Sequence, residues 1–255
     1  MTFCFCVHNL CSDHKPMNYI MRSHDWGYTW SDPEDLSVKN PYFKDWPYCF
    51  GPGYGIQKQY KPHVGRLISC GHTVDRDNFK TQSMYCLYSD DHGITWTVGA
   101  TLYGMPYGMG KKNGDFLAGE PQLVELPDGS IFVNIRNTHG YHCNCRIIAK
   151  SFDGGETFPL TNVTVDPNLV DPGCEGSLLL HKNIMFFSNP NSSAGRLNMT
   201  VKYSMDYGKH WNGDIHIYSD ISEYSCLADI DENHVGVLYE RDHYQQMGFA
   251  KIRLN

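Results

Sequence analysis

The 255-residue chain has no apolar run approaching the roughly 20 residues that a membrane-crossing helix requires. It also has no basic tract, and 21 Lys and Arg against 28 Asp and Glu leave a formal charge of −7. Nucleic acid is therefore not expected as a partner. No Cys-x-x-Cys pair occurs, so the 10 cysteines point to packing or disulfides rather than zinc. Nothing calls for a cofactor or a metal. Amphipathic helical periodicity, linkers and low-complexity tracts are all missing. The opening MTFCFCVHNLC has no basic n-region and no h-region of proper length, so no signal peptide is visible.

Turn formers and aromatics are plentiful: 24 Gly, 13 Pro and 13% aromatic residues suit a strand-rich, turn-rich chain. Ten cysteines and the sequons at Asn162, Asn191 and Asn198 point towards the secretory route.

One pattern, Ser-x-Asp-x-Gly-x-Thr-aromatic, recurs. It begins at Ser23 (SHDWGYTW), Ser89 (SDDHGITW), Ser151 (SFDGGETF) and Ser204 (SMDYGKHW), with His210 in the Thr position of the fourth copy. The spacings 89−23 = 66, 151−89 = 62 and 204−151 = 53 mark a repeated supersecondary unit. The carboxylates of Asp25, Asp91, Asp153 and Asp206 suit backbone N–H groups just downstream, and the Gly two places on suits a reversal at positive φ. Each copy reads as a hairpin tip, with the aromatic (Trp30, Trp96, Phe158, Trp211) packing beneath the turn against its own sheet. Because the aspartates recur once per repeat, they read as scaffold and not as catalytic acids.

Strand-like runs flank these tips at 2–7, 66–70, 83–88, 121–126, 130–137, 145–150, 177–180, 184–188, 197–204 and 234–239, and Asp128-Gly129 marks a hairpin between two of them. The fold class is all-β, and repeated hairpins at this period suggest a β-propeller.

The chain resembles the sialidase (neuraminidase) family over essentially its whole length, closest to the lysosomal members. The resemblance rests on the four aspartate motifs, known there as Asp boxes, and on more specific segments. These are Gly51–Gln57, Gly119-Glu120-Pro121-Gln122 with Glu125–Gly129, Asn134-Ile135-Arg136-Asn137, Tyr141–Arg146, Phe187–Pro190, Tyr224-Ser225 and Leu238-Tyr239-Glu240. It implies a six-bladed propeller with its site at the channel mouth, a sialylated glycoconjugate as substrate, a lysosomal or secretory location and a protective protein partner. By motif, Arg136 and Arg196 correspond to two members of an arginine triad that clamps the substrate carboxylate, a task suited to planar, always-charged guanidinium groups. Tyr224 stands in the nucleophile's position, where a carboxylate would be repelled by the substrate's own, and Glu120 in that of its base. Glu175 is a further acidic candidate. Asn137, Gln57 and Tyr54 are substrate-cleft candidates. Arg136 alternates with Phe132 and Asn134, away from Ile131, Val133 and Ile135, and is expected in a polar cleft. Asn198 would share a face with Arg196 in a regular strand, so that a glycan there would crowd the site.

The family's first triad arginine, in an Arg-Ile-Pro segment, and the aspartate acid/base that follows it have no match before Ser23. The expectation is a single domain over 1–255 lacking the N-terminal blade or blades: an incomplete, open propeller with impaired turnover. Two functions stay open, an exo-sialidase and a non-catalytic Asp-box propeller that binds a glycan or protein.

Overall fold

The computed structural model describes residues 2–7, 17–40, 48–74, 82–103 and 117–254. The first sheet holds β1 (Thr2–Val7), β2 (Met17–Arg22) and β3 (Glu34–Asp35), followed by a single helical turn, α1 (Leu36–Lys39). The second holds β4 (Tyr48–Phe50), β5 (Ile56–Gln57), β6 (Leu67–Val74), β7 (Gln82–Ser89) and β8 (Thr97–Leu102). The third holds β9 (Ala118–Glu125), β10 (Ile131–Asn137), β11 (Cys145–Ser151) and β12 (Val163–Val170). The remaining strands are β13 (Ser177–His181), β14 (Ile184–Pro190), β15 (Leu197–Ser204), β16 (Gly213–Asp231), β17 (His234–Arg241) and β18 (Gln246–Arg253). Here β16 serves two sheets: its first part pairs with β15 as far as Ile221, and from Ser222 it pairs with β17.

Apolar clusters weld each sheet to the next. Ile20 and Leu36 meet Leu87 and Trp96, and Ile68 and Met84 meet Val133, Ile135 and Ile147. Val124 and Phe132 meet Leu178 and Phe187, and Leu179 and Val201 meet Leu227 and Val237. Among the described residues the extensive contacts between sheets join successive ones, and none of similar extent closes the last onto the first. The architecture is an open arc of a β-propeller, in which burial between neighbouring blades replaces a single central core.

The aspartate turns repeat one hydrogen-bond set. Asp91 accepts the Thr95 N–H at 2.9 Å and its hydroxyl at 2.6 Å, while Ser89 Oγ donates to Asp91 at 2.7 Å and accepts the Gly93 N–H at 2.8 Å. Asp25 and Asp153 hold Thr29 and Thr157 likewise, and in the fourth copy His210 Nδ1 replaces the hydroxyl, 2.6 Å from Asp206. Gly93 adopts φ +82°, as the reversal requires.

The aromatics do not lock each turn to its own sheet alone; they wedge it against the preceding one. Trp96 packs with Ile20 and Leu36 of the first sheet, and Phe158 with Ile68 and Met84 of the second. Trp211 donates Nε1–H to Asp166 on β12 at 2.9 Å. Trp30, in the first turn, is 37% exposed where Trp96 is 7%. Arg66 adds a second staple, holding Asp90 through two bonds of 2.8 Å and Glu156 of the next turn at 2.9 Å.

Disulfides join Cys70 to Cys86 across β6 and β7 and Cys143, just before β11, to Cys145, its first residue, while Cys174 and Cys226 are thiols. Among the described residues no helix is long and apolar enough to cross a membrane.

Candidate active site

Away from the aspartate turns, at the opposite end of the sheets, three strands lose their regular ladder. In β9 and β10 the register passes from Ile135 opposite Pro121 to Arg136 opposite Gly119, so Glu120 is the extra residue and takes φ +32°. Pro121, which has no N–H to contribute, fits such a break. The β15 ladder shifts between Leu197 and Met199, where Asn198 sits at φ +69°, and the β16 ladder shifts between Ser222 and Ser225, around Tyr224. A bulge bends its strand and re-aims the side chain beside it. Left-handed backbone at a non-glycine residue costs on the order of 1 kcal/mol or more and persists only where surroundings hold it.

These breaks bring four side chains together. Tyr224 donates its hydroxyl hydrogen to Glu120 Oε1, and Arg136 Nη1 donates to Glu120 Oε2 at 2.5 Å and to Tyr224 Oη at 3.2 Å. The Arg196 guanidinium lies 5.7 Å from the Tyr224 ring centroid. Burial, and after it the charge of Glu120, pushes the Tyr224 phenol well above its usual range. The resting tyrosine is therefore protonated, with a carboxylate already hydrogen-bonded to its proton.

A second layer of carboxylates braces this strand from behind. Glu240 accepts the Tyr224 N–H at 3.1 Å and Glu175 the Ser225 N–H at 3.0 Å. Glu175 is 1% exposed, and burial pushes its carboxyl up to about 8, so at neutral pH it is largely uncharged. Cys174 lies within the electrostatic reach of Arg196, Arg136 and Glu175, and burial pushes its thiol up to about 12. Beneath them Arg146 is fully buried, paired with Asp171 at 2.9 Å and donating to Asn134 Oδ1 at 2.7 Å.

Several sequence expectations need correction. Phe132 and Asn134 are buried, Phe132 in the cluster between the third and fourth sheets and Asn134 against Arg146, so their face of β10 is not a polar cleft. Only Arg136, beyond the register break, reaches the site. The Tyr54 hydroxyl donates to the Leu178 carbonyl, its ring packs against the cluster with Leu179 and Leu227, and burial raises its phenol. Gln57 donates to the Gly65 carbonyl at 3.3 Å, beside Lys58, whose ion pair with Glu125 lies at the opposite end of β9 from Glu120. Asn137 is buried and braces the following loop, donating to the Tyr141 and Cys143 carbonyls at 2.8 and 3.1 Å and accepting the Tyr141 N–H. Asn198 parts from Arg196 because the bulge breaks their alternation, and its side chain turns to the Asn191 carbonyl. Sequence reading missed the bracing role of Glu240, although its Leu-Tyr-Glu segment was visible, and missed Glu223 and Tyr244 entirely.

An arc of antiparallel sheets, stapled by aspartate turns at one end and bulged around an acid–arginine–tyrosine cluster at the other, defines a propeller of the sialidase type. The chain belongs to this family: the BNR repeat-like domain model matches residues 3–235. It is 31% identical to a sialidase of Micromonospora viridifaciens over 234 residues, 87% of this chain and 33% of that protein. It is 28% identical to rat Sialidase-3 over 190 residues, covering 69% of this chain and 41% of the relative. Among solved structures, the Hadza microbial sialidase Hz136 superposes with a TM-score of 0.72 at 26% identity, covering 94% of this chain and 44% of that one. The chain thus spans well under half the length of these relatives.

Proposed function

We propose that the chain, as one domain over 1–255, carries the site of a retaining exo-α-sialidase acting on terminal sialic acid of glycoproteins, oligosaccharides or glycolipids. One observation carries the reading: Tyr224, Glu120 and Arg136 share a closed set of hydrogen bonds with Arg196 set over the tyrosine ring. Glu120 takes the phenol proton as the Tyr224 oxygen bonds to the anomeric carbon, and the leaving oxygen departs with a proton from solvent water, leaving hydroxide. Water then attacks the anomeric carbon and breaks the glycosyl–tyrosine bond, its released proton neutralising that hydroxide while the proton on Glu120 returns to Tyr224. Arg136 stabilises the phenolate as it forms, and Arg196 faces the substrate's carboxylate. Raising the phenol's pKa looks adverse to a nucleophile, yet it makes the proton transfer dependent on Glu120.

The test is covalent trapping. A 3-fluorosialosyl fluoride should add one fluorosialosyl mass to the peptide containing Tyr224; addition to another residue overturns the assignment.

A binding-only propeller is favoured by a different observation. Among the described residues only two guanidinium groups, of Arg136 and Arg196, are recorded against Tyr224, while Arg22, Arg66, Arg146 and Arg241 are committed to Glu34, Asp90 with Glu156, Asp171 and Asp242. Binding of sialic acid without trapping or turnover would establish that reading instead. A lysosomal or secretory location and a protective protein partner belong to the same proposal; two disulfides suit such a compartment.

A further inference from the structure

Arg136 and Arg196 flank the same tyrosine but are held in opposite ways. Arg136 is ion-paired with Glu120 at 2.5 Å. Arg196 has no ion pair among the described residues; its Nη1 donates instead to the hydroxyl of Tyr244 at 2.7 Å. A carboxylate partner would neutralise the guanidinium, whereas a neutral phenol fixes its place and leaves its charge for a ligand. A long side chain at a surface otherwise loses rotamer freedom whenever it is used.

Tyr244 comes from the four-residue turn between β17 and β18, in which Asp242, His243 and Tyr244 take φ of +56°, +56° and +64°. Three consecutive non-glycine residues in the left-handed region do not arise from local preference. The anchors come from the strand that carries Tyr224. Asp242 N–H donates to the Ile221 carbonyl at 3.0 Å and Tyr218 donates its hydroxyl hydrogen to Asp242 at 2.7 Å. Tyr244 itself is 60% exposed, so its ring is not held there by packing in a core.

We infer that Tyr244 is a positioning residue for Arg196: its hydroxyl, presented by a strained turn clamped to the strand just before Tyr224, holds a guanidinium that has no salt-bridge partner where the carboxylate of an anionic sugar binds. This deepens the sialidase reading and rests on it for the identity of the ligand.

The experiment is a double-mutant cycle on the full chain with N-acetylneuraminic acid, read by calorimetry, together with the Arg196 Nε–Hε signal in side-chain NMR without ligand. Tyr244→Phe should weaken binding by roughly fivefold, the loss of one charge-assisted hydrogen bond at an exposed site. Added to Arg196→Ala it should change nothing further, because it acts through that arginine. In turnover the same variant should raise KM and leave kcat within about twofold. Wild-type affinity in Tyr244→Phe, or an equal loss in the Arg196→Ala background, overturns the inference. If the wild-type chain binds no sialic acid, the sialidase reading falls. The NMR signal then decides the positioning claim alone: sharp in wild type and broadened in Tyr244→Phe upholds it, and an unchanged signal refutes it.

Discussion

The two ends of the blades use the same functional group to opposite effect. At the aspartate turns each carboxylate is surrounded by donors: the Thr95 hydroxyl and N–H hold the Asp91 carboxyl down at about 2, and the same bonds from Thr29 do so for Asp25. At the bulged end carboxylates crowd one another with fewer donors, and burial lifts Glu175 to about 8. A carboxylate whose lone pairs are saturated by its own turn is a fastener. One left short of donors beside other acids holds a proton that chemistry can use.

The sharpest break of this contrast is Tyr224→Phe, which should lower sialoside hydrolysis by at least ~100-fold through loss of the nucleophile, while Asp91→Ala leaves kcat unchanged. Equal effects of the two on turnover would erase the distinction between the ends. Arg136→Lys comes next, with a loss of roughly tenfold or more in kcat/KM, because an ammonium does not reproduce a planar fork shared between Glu120 and Tyr224.

The third test is stability against pH, where the ends should slope in opposite directions. Glu175 has a folded pKa above its usual 4.5, so the native state takes up a proton, and its contribution to stability falls as pH rises from about 4.5 to about 8. Glu175→Gln should remove that slope, seen as a melting-temperature gap over wild type that widens between pH 5 and 8. Asp91 has a folded value below its usual 3.8, so its stabilisation is present above 3.8 and lost as pH falls towards about 2. Asp91→Ala should therefore cost about 1 kcal/mol at pH 7, comparable to the loss of a side-chain cap, and distinctly less at pH 2, where the folded carboxylate is about half protonated. Chemical denaturation at the two pH values checks this smallest effect.

What was legible beforehand divides along the same line. The turns could be read because Ser, Asp, Gly and Thr act within eight residues of one another, so the motif contains its own hydrogen bonds. Asp128-Gly129 was readable for the same reason, with Asp128 accepting the Ser130 N–H and hydroxyl. Glu120, Arg136, Arg196 and Tyr224 were reached through resemblance, since the Tyr224–Glu120 contact spans 104 residues and has no local signature. Gln57, Tyr54 and Asn137 were reached the same way, and the backbone carbonyl to which each donates was not legible from its segment. Strict alternation failed at Asn134 and Asn198, where one residue faces a buried arginine and the other sits at a bulge.

The passage of β16 from one blade to the next has a consequence for how such a chain can change in length. Leu197 pairs with Ile221, and the very next residue, Ser222, pairs with Arg241, so no unpaired residue separates the two ladders. Between the third and fourth sheets, by contrast, residues 171–176 lie outside any strand and separate the two ladders. Within β16 a single insertion would slip one ladder by one place and turn alternate side chains of that sheet inside out. The step from Ile221 to Ser222 is therefore a fixed length in the physical sense. A hairpin loop such as 232–233 can lengthen without that effect, but the step from Ile221 to Ser222 tolerates substitution and not insertion.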